Sequence, residues 1–116
     1  MTSCFCYILE CQNGRIYTGI TESFNRRLKE HITGKGGARY THANGVFCIR
    51  LILCLEDKGE AMRLENKLKT KTRKQKEDFI NKVHNREQTK RWINAFKILN
   101  PLSKEEQFVY DNSLGY

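Results

Sequence analysis

The stretch FCYILECQNGRIYTGI, residues 5–20, decides the fold. Two runs rich in β-branched and aromatic residues flank Asn13 and Gly14, and Asn-Gly is the dipeptide that most strongly favours a tight hairpin turn. The sequence therefore predicts that the chain opens with a β-hairpin. Downstream, the hydrophobic pattern predicts a helix, an apolar strand, a second helix and a helical tail.

The register of this hairpin has two alternatives. A two-residue turn pairs Tyr7 with Ile20, whereas a three-residue turn with Gly14 in the left-handed conformation pairs Tyr7 with Gly19. A slip of one residue exchanges the two faces of a strand. Only the three-residue turn therefore places Tyr7 and Tyr17 on the same face of the sheet.

The first predicted helix begins after Ser23, a favourable N-cap residue, and extends to about Thr33. Its buried stripe consists of apolar side chains at every fourth position: Phe24, Leu28 and Ile32. Arg27 and His31 are also four residues apart and share a neighbouring face. Residues 34–45 contain four glycines and are expected to form a mobile basic loop.

The run VFCIRLILCLE, residues 46–56, is strongly apolar and predicts a central strand. The second helix is expected to start at Asp57 as N-cap, with Glu60 completing a capping-box pattern. Its buried stripe consists of Ala61, Leu64 and Leu68. Glu65 lies on or beside that stripe, so a carboxylate is expected at a largely buried position.

The pattern stays helical beyond the second helix. Two amphipathic segments follow, the first with Phe79, Ile80 and Val83, the second with Trp92, Ile93, Phe96 and Leu99. Pro101 is expected to end the second segment. Ser103 and Glu106 form a capping-box pattern for a short last helix.

The predicted fold class is α+β: a small three-stranded, partly antiparallel sheet flanked by helices, with a helical C-terminal extension. We predict that residues 1–72 form the domain and that residues 73–116 pack on it as a basic helical extension. The chain has 116 residues, which suffices for one domain.

The charge balance points to a polyanionic partner. The chain carries 21 Lys and Arg against 13 Asp and Glu, a net charge of +8, and twelve of the basic residues lie within residues 66–116. Excess positive charge favours nucleic acid or an anionic membrane surface. No apolar run approaches the roughly 20 residues of a membrane span, so we expect nucleic acid rather than a membrane.

The five cysteines are an odd number without a CxxC pair, which argues against a disulfide framework and a structural zinc site. We expect them to pack as small apolar residues in the reduced state. Together with an N-terminal sequence that lacks the features of a signal peptide, this predicts a reducing, intracellular compartment.

At about residues 4–70 the chain resembles the GIY-YIG nuclease family. The resemblance is carried by two signature tripeptides, Phe5-Cys6-Tyr7 and Tyr17-Thr18-Gly19. The helix arginine of the family falls on Arg27, and the glutamate of its second helix falls on Glu65 within EAMRLENKLK. Phe5 stands where the family has its first signature glycine, which is a departure from the pattern.

The resemblance implies hydrolysis of DNA phosphodiester bonds with one Mg²⁺ or Mn²⁺ ion held by Glu65. An arginine fork matches phosphate oxygens in geometry and charge, which suits Arg27. The candidates for the general base that takes a proton from water are Tyr17, Tyr7 and His31. The resemblance favours Tyr17. A side chain at Gly19 is expected to crowd the backbone against the site.

Each of these residues, taken alone, also fits a structural role. The two tyrosines fit strand aromatics, and His31 fits an exposed helix position. Arg27 fits an ion pair with Glu30, and Glu65 fits an outward position after a small rotation of the helix. Their joint spacing is what favours an active site.

Two basic regions are predicted to contact DNA. The glycine-rich loop interleaves basic and aromatic residues: Lys35, Arg39, Tyr40 and His42. The second region is expected to follow the DNA backbone without reading sequence, through Lys69, Lys71, Arg73, Lys74 and Lys76. A solvated helix face explains such a charge run about equally well. The apolar face of the tail is expected to pack on the domain or on a second subunit.

The favoured prediction is a divalent-metal-dependent endonuclease on duplex or branched DNA, with a protein partner or a homodimer as further options. The alternative is a nucleic-acid-binding module of the same fold with little or no cleavage, which acts through a partner. A third is an interaction protein that recruits a nuclease. The enzyme is favoured because a carboxylate near phosphate repels it unless a metal ion intervenes.

Overall fold

The structure, a computed structural model, describes residues 3–83, 90–95 and 102–114. In chain order the elements are β1 (Cys4–Cys11), β2 (Ile16–Thr21), α1 (Phe24–Thr33), α2 (Arg39–Asn44), β3 (Val46–Leu55), α3 (Lys58–Lys69), α4 (Arg73–Val83), α5 (residues 90–95) and α6 (Lys104–Leu114). The predicted positions Phe96, Leu99 and Pro101 lie outside the described residues. Within those residues, no helix has the length and apolar character needed to cross a membrane.

The three strands form one sheet in the order β2-β1-β3, and both pairings are antiparallel. The predicted α+β fold is confirmed. The prediction that β3 is the central strand is wrong, because β1 lies between the other two. Ile49 and Ile52 of β3 pack on one face of the sheet and Leu51 packs on the other. This two-sided burial explains why an outer strand has such an apolar sequence.

The hairpin adopts the three-residue turn. Gly14 has a φ of 85°, and its N–H donates to the carbonyl of Cys11 at 2.9 Å. The N–H of Cys11 donates to the carbonyl of Arg15 at 2.8 Å, and Tyr7 pairs with Gly19. A left-handed conformation at this position is the one that glycine adopts without steric cost. Of the two registers that the sequence allows, the structure therefore has the one with Tyr7 and Tyr17 on a common face.

The sheet separates two cores. On one face, side chains of the strands pack with α1, α5 and α6: Tyr7, Leu9, Phe24, Leu28, Ile49, Ile93 and Tyr110. On the opposite face they pack with α3 and α4: Cys6, Ile8, Leu51, Leu68 and Ile80. Successive residues of β1 therefore alternate between the two cores, as the pleat of a strand requires.

The five cysteines are all free thiols, and four of them are buried. Burial raises the pKa of both Cys6 and Cys48 to about 12, with nearby carboxylates adding to the effect. These thiols are protonated near neutral pH, which makes them poor nucleophiles and poor metal ligands.

Helix α1 has the predicted bounds, from Phe24 after the extended N-cap Ser23 to Thr33 before Gly34. Ser23 makes no side-chain cap hydrogen bond. Helix α3 also begins as predicted, because Asp57 accepts a hydrogen bond from the N–H of Glu60 at 2.8 Å.

The prediction of a continuous loop over residues 34–45 is wrong, because α2 lies within it. The sequence of α2, RYTHAN, contains no glycine; the glycines of this region lie on either side of it. Contacts with α1 hold α2 in place: Nδ1 of His42 bonds the carbonyl of Ile32 at 2.6 Å, and His31 bonds Thr41. These contacts span ten residues, so no local pattern indicates them.

Helices at the C-terminal end have clear start signals. The side chains of Thr72 and Gln75 each accept from the other's backbone N–H, at 3.2 and 2.9 Å, and this reciprocal box starts α4. At α6, Ser103 Oγ accepts from the N–H of Glu106 at 3.1 Å, which confirms the predicted cap. Ser113 of α6 accepts a hydrogen bond from the N–H of Ile49 at 2.6 Å, so α6 is bonded directly to β3.

Candidate active site

The centre of the candidate site is Tyr7, a fully buried phenol on the central strand. Its hydroxyl lies 2.7 Å from Nε2 of His31. A methyl group at Gly19, the pairing partner of Tyr7, would lie 2.5 Å from the Tyr7 hydroxyl and 3.0 Å from the Tyr17 ring. Gly19 thus leaves the space that both tyrosine rings occupy, so the crowding at this position comes from side chains rather than from the backbone.

His31 links the phenol to α2. Its Nδ1 lies 2.7 Å from Oγ of Thr41, and that hydroxyl donates to the carbonyl of Ala38 at 3.1 Å. Because the single hydroxyl proton of Thr41 is used in this way, Thr41 accepts from Nδ1–H of His31. The lone pair of Nε2 then accepts from the hydroxyl of Tyr7. The three side chains form one hydrogen-bonded chain with a single direction.

The environment of His31 keeps its ring neutral. The side chain is fully buried, although an exposed position was among the alternatives that the sequence left open. Burial, reinforced by the positive charge of Arg27, lowers the pKa of His31 to about 4. Near neutral pH the imidazole is therefore uncharged and acts as an acceptor toward Tyr7.

The second tyrosine is nearer to solvent. Tyr17 is half-buried, and its ring centre lies 4.9 Å from that of His31 and 6.4 Å from that of Tyr7. Burial, with a smaller contribution from Tyr17, raises the pKa of the Tyr7 phenol, so Tyr7 holds its proton tightly. Of the two phenols, Tyr17 is the one that a water molecule from solvent reaches.

Arg27 places a fixed cation beside the tyrosines. Its Nη1 donates to Glu30 Oε1 at 3.0 Å and to the carbonyl of Gly36 at 2.9 Å. Burial alone would lower the pKa of Arg27, but contributions from Glu30, Tyr7 and Tyr17 outweigh it and raise the pKa. The Glu30 ion pair, which the sequence offered as a structural role, thus coexists with proximity to both phenols.

A polar cleft of about 430 Å³ opens beside this guanidinium. Its lining includes the cations Arg26, Arg27 and Lys58 and the carboxylates Glu22 and Glu30. The cleft offers space for a polar group against Arg27.

Glu65 reaches the same region from α3. Its side chain is 17% exposed, and its Oε2 lies 3.4 Å from Nζ of Lys69. The carboxylate contributes to the raised pKa of Cys6 and, more weakly, of Tyr7, so it lies within electrostatic reach of β1. The outward orientation that the sequence left open is therefore not adopted.

The donor set suits a hard cation. Among the described residues, no group of three or more His, Cys, Asp or Glu side chains could enclose a metal ion. A single carboxylate near a phosphate site fits Mg²⁺ or Mn²⁺, since such ions keep several waters and bind through one or two carboxylates together with substrate phosphate. It does not fit Zn²⁺, which usually takes three or four protein ligands.

The predicted DNA-contacting residues are spread more widely. Lys35 and Arg39 are exposed around the start of α2, and Lys69 is occupied with Glu65. Lys71 is half-buried. Three others, Tyr40, Arg73 and Lys76, line a second concave surface that Tyr7 does not line. His42 bonds the α1 backbone instead.

Two features of the site were missed in the sequence. Thr41 completes the chain of hydrogen bonds behind Tyr7, and Gly36 lies so close to Glu30 that a methyl group there would overlap the carboxylate. Both belong to the segment that was predicted as a loop. A reading of that segment as a helix would have placed Thr41 on the side of α2 that faces α1.

Comparison with known proteins places this geometry in context. The model of the GIY-YIG catalytic domain matches residues 3–78. The UPF0213 protein BH0048 of Halalkalibacterium halodurans is 42% identical over 76 residues, covering 66% of this chain and 80% of the relative. The UPF0213 protein SAG0778 of Streptococcus agalactiae is 44% identical over 84 residues, covering 72% and 93%. The solution NMR structure of the UPF0213 protein BH0048 from Bacillus halodurans matches with a TM-score of 0.49 at 38% identity, covering 72% and 87%.

Proposed function

The chain belongs to the GIY-YIG catalytic domain family, whose members are generally endonucleases, and we propose on that premise that it hydrolyses phosphodiester bonds in DNA. The observation that carries the proposal is the shared location of Tyr7, His31, Tyr17 and Arg27, with the Glu65 carboxylate within electrostatic reach. Packing alone does not require a buried chain of polar groups that ends at a cation and a carboxylate.

Arg27 binds and orients the phosphate. Its Nη1 is held by Glu30 and the Gly36 carbonyl, so a phosphate takes the donors on Nε and Nη2. A guanidinium fixed on two acceptors loses little conformational freedom when it binds. It then stabilises the charge that develops on the non-bridging oxygens as water attacks.

Tyr17 acts as the general base: its phenol first gives its proton to solvent, and the phenolate then takes the proton from the attacking water. Tyr7 is less suited to that role, since it is buried and its hydroxyl already donates to His31. Tyr7 and His31 instead form a support against which Tyr17 and Arg27 are positioned. General-base catalysis of this kind contributes about 10²–10⁴-fold to a rate.

Glu65 is the residue that holds the metal ion. When bound, Mg²⁺ or Mn²⁺ supplies positive charge for the scissile phosphate and for the departing oxygen. Glu65 must leave Lys69 to do so, and the 3.4 Å ion pair of a half-exposed lysine is weak enough to be exchanged.

A second candidate function is nucleic-acid binding by the same fold with little or no cleavage. The Lys69 ion pair favours it, because it neutralises Glu65 without a metal ion. In either function we propose that Lys35, Arg39, Lys69 and Lys71 contact the DNA backbone. We also propose that residues 1–72 form the nuclease domain on which residues 73–116 pack.

The test is a cleavage assay on linear, flap and four-way-junction DNA with Mg²⁺, Mn²⁺ or EDTA. Wild-type protein is compared with Glu65→Ala and with Asp78→Ala, which removes an exposed carboxylate of α4 as a control. We expect cleavage by the wild type and the control, and none with EDTA or Glu65→Ala. Cutting that survives both EDTA and Glu65→Ala contradicts the metal mechanism. Binding without cutting on every substrate supports the second candidate function.

A further inference from the structure

A second concave surface lies at the start of β2, outside the catalytic residues. It is formed by Arg15, Ile16, Tyr40, Arg73 and Lys76 and encloses about 290 Å³; we call it the basic notch. Its residues come from three parts of the chain: the hairpin, α2 and α4. Three of the five side chains are cationic and one is aromatic.

The notch is held together by backbone contacts. The guanidinium of Arg73 donates to the carbonyl of Gly14 in the hairpin turn. The box between Thr72 and Gln75 fixes the first turn of α4 at the same place. The cations of α4 are therefore positioned against the hairpin rather than carried on a freely moving helix.

The charge of the notch is not cancelled by its neighbours. Glu77 lies 3.6 Å from Arg73, but the fork of Arg50 holds the same carboxylate with bonds of 3.2 and 2.8 Å. Arg50 is also the main cause of the lowered pKa of Glu77. In the described part of the chain, neither Arg15 nor Lys76 forms an ion pair with a carboxylate.

Tyr40 gives the notch an aromatic wall. Its side chain is 47% exposed and therefore accessible to a ligand. An exposed ring beside cations is the arrangement with which proteins bind a nucleic-acid strand, since the cations contact phosphate and the ring packs on a base or sugar.

The notch adjoins the catalytic residues along β2. Ile16 of the notch and Tyr17 of the site are neighbours in β2, and Arg15 precedes Tyr17 by two residues. At roughly 3.3 Å per residue of strand, that separation is about 7 Å. It corresponds to about one phosphate step along a DNA strand, because the backbone winds around the helix and neighbouring phosphates are roughly 7 Å apart although each step rises by only about 3.4 Å along the axis.

We propose that the basic notch binds a backbone phosphate of the DNA strand about one nucleotide from the phosphate that is cleaved, with Tyr40 packed against the adjoining sugar or base. The proposal rests on the proposed function, since it takes DNA as the substrate of the neighbouring site. It identifies Arg15 and Lys76 as the phosphate ligands and makes the hairpin turn part of the DNA-binding surface.

The experiment measures binding of a labelled duplex by a Glu65→Gln background over a range of salt concentrations, by fluorescence anisotropy. The notch variant is Arg15→Gln with Lys76→Gln. The matched control is Lys82→Gln with Lys104→Gln, which removes two exposed charges outside the notch and outside the predicted DNA contacts. Arg73 is left intact because its bond to the Gly14 carbonyl supports the turn.

We expect the notch variant to lose on the order of 10-fold in affinity and its plot of log affinity against log salt to flatten by about one unit, the effect of one phosphate contact. The control should lose about threefold or less. On single-stranded DNA, Tyr40→Ala should weaken binding by about fivefold or more while Tyr40→Phe retains it. Equal losses in notch and control variants overturn the proposal.

The binding experiment tests the notch independently of the cleavage assay, which tests the nuclease function. Wild-type protein that binds DNA but cuts nothing contradicts the nuclease function, and the difference between notch and control variants still decides the notch. Wild-type cleavage together with equal losses in the two variants overturns the notch alone. Failure of the wild type to bind any DNA overturns both proposals.

Discussion

The two faces of β1 show how one strand serves two purposes. On one face, Tyr7 belongs to a buried hydrogen-bonded chain with His31 and Thr41. On the other, Cys6 and Ile8 pack against α3 and α4 in an apolar core. Successive residues of the same strand thus supply a polar network and an inert core. The candidate chemistry therefore depends on side chains whose hydrogen bonds are satisfied. The stability of the opposite face depends only on how well apolar side chains fill the space.

Gly19 offers the strongest way to break the polar face. In Gly19→Ala the new methyl group would lie 2.5 Å from the Tyr7 hydroxyl, so both tyrosine rings must shift. We expect cleavage to fall by about 100-fold or more, the size of a lost general base. Gly59→Ala on α3, where the nearest atom is 3.3 Å away, should keep activity within about twofold. Steady-state cleavage rates measure both, and equal activity of wild type and Gly19→Ala would contradict the assigned packing.

Tyr7→Phe sharpens the contrast between the faces. It removes the donor to His31 and leaves a buried acceptor unsatisfied, which costs about 1–3 kcal/mol in the free energy of unfolding. Cys6→Ala on the other face removes only a small apolar side chain and should cost about 1 kcal/mol. Urea denaturation followed by circular dichroism measures both. Cleavage should fall in Tyr7→Phe and remain in Cys6→Ala, and the reverse order of activity contradicts the division of roles.

The acid response of the protein reports on His31. Its folded-state pKa of about 4 lies below the ordinary value of 6.5, so the unfolded chain binds the proton more readily. The stability that the neutral ring contributes is complete above about pH 6.5 and is lost as the pH falls toward 4, with a slope of at most about 1.4 kcal/mol per pH unit. Denaturation curves across this range should show a shallower slope in His31→Gln than in wild type. An equal slope in the two proteins would contradict this assignment.

Thr41 is expected to give the smallest effect. Thr41→Val removes the acceptor of His31 Nδ1–H and should reduce cleavage by about fivefold, because it loosens the orientation of the imidazole without removing a catalytic group. Thr41→Ser keeps the hydroxyl and should restore the wild-type rate. The pH dependence of the rate should shift in the valine variant alone. No difference between serine and valine at this position would show that the hydroxyl plays no part.

The sequence predicts those parts of the fold that are determined by local signals and fails where long-range packing decides. The caps at Asp57 and Ser103 place two helices correctly. The turn at Gly14 was narrowed to two registers, and only the structure selects one of them, because the choice depends on packing of the tyrosine rings on α1. The central position of β1 could not be predicted, since β3 is apolar on both faces for reasons that its own sequence does not reveal.

The same distinction between local signals and long-range contacts applies to the candidate site. Spacing and family resemblance pointed to Tyr7, Arg27 and Glu65. The charges of Arg27 and Glu65 both act on the pKa of Tyr7, and the catalytic roles of the three residues stay predictions. Thr41 and Arg15 were missed because each acts through contacts with distant segments. A glycine-rich stretch suppresses the prediction of a helix, although the glycines here lie outside the six residues that form it.

The hairpin turn has a consequence for how this chain can vary. The Asn13 side chain accepts from the N–H of Arg15 at 3.1 Å and donates to the side chain of Asn44 at 2.6 Å. The exposed side chain of Gln12 is open to change. The number of residues between the two strands is fixed. Deleting one of these residues would slide β2 against β1 and move Tyr17 to the side of the sheet that α3 and α4 cover. Homologous sequences should therefore differ freely at Gln12 while keeping the number of residues in the turn, and loop grafting at this point must conserve that number.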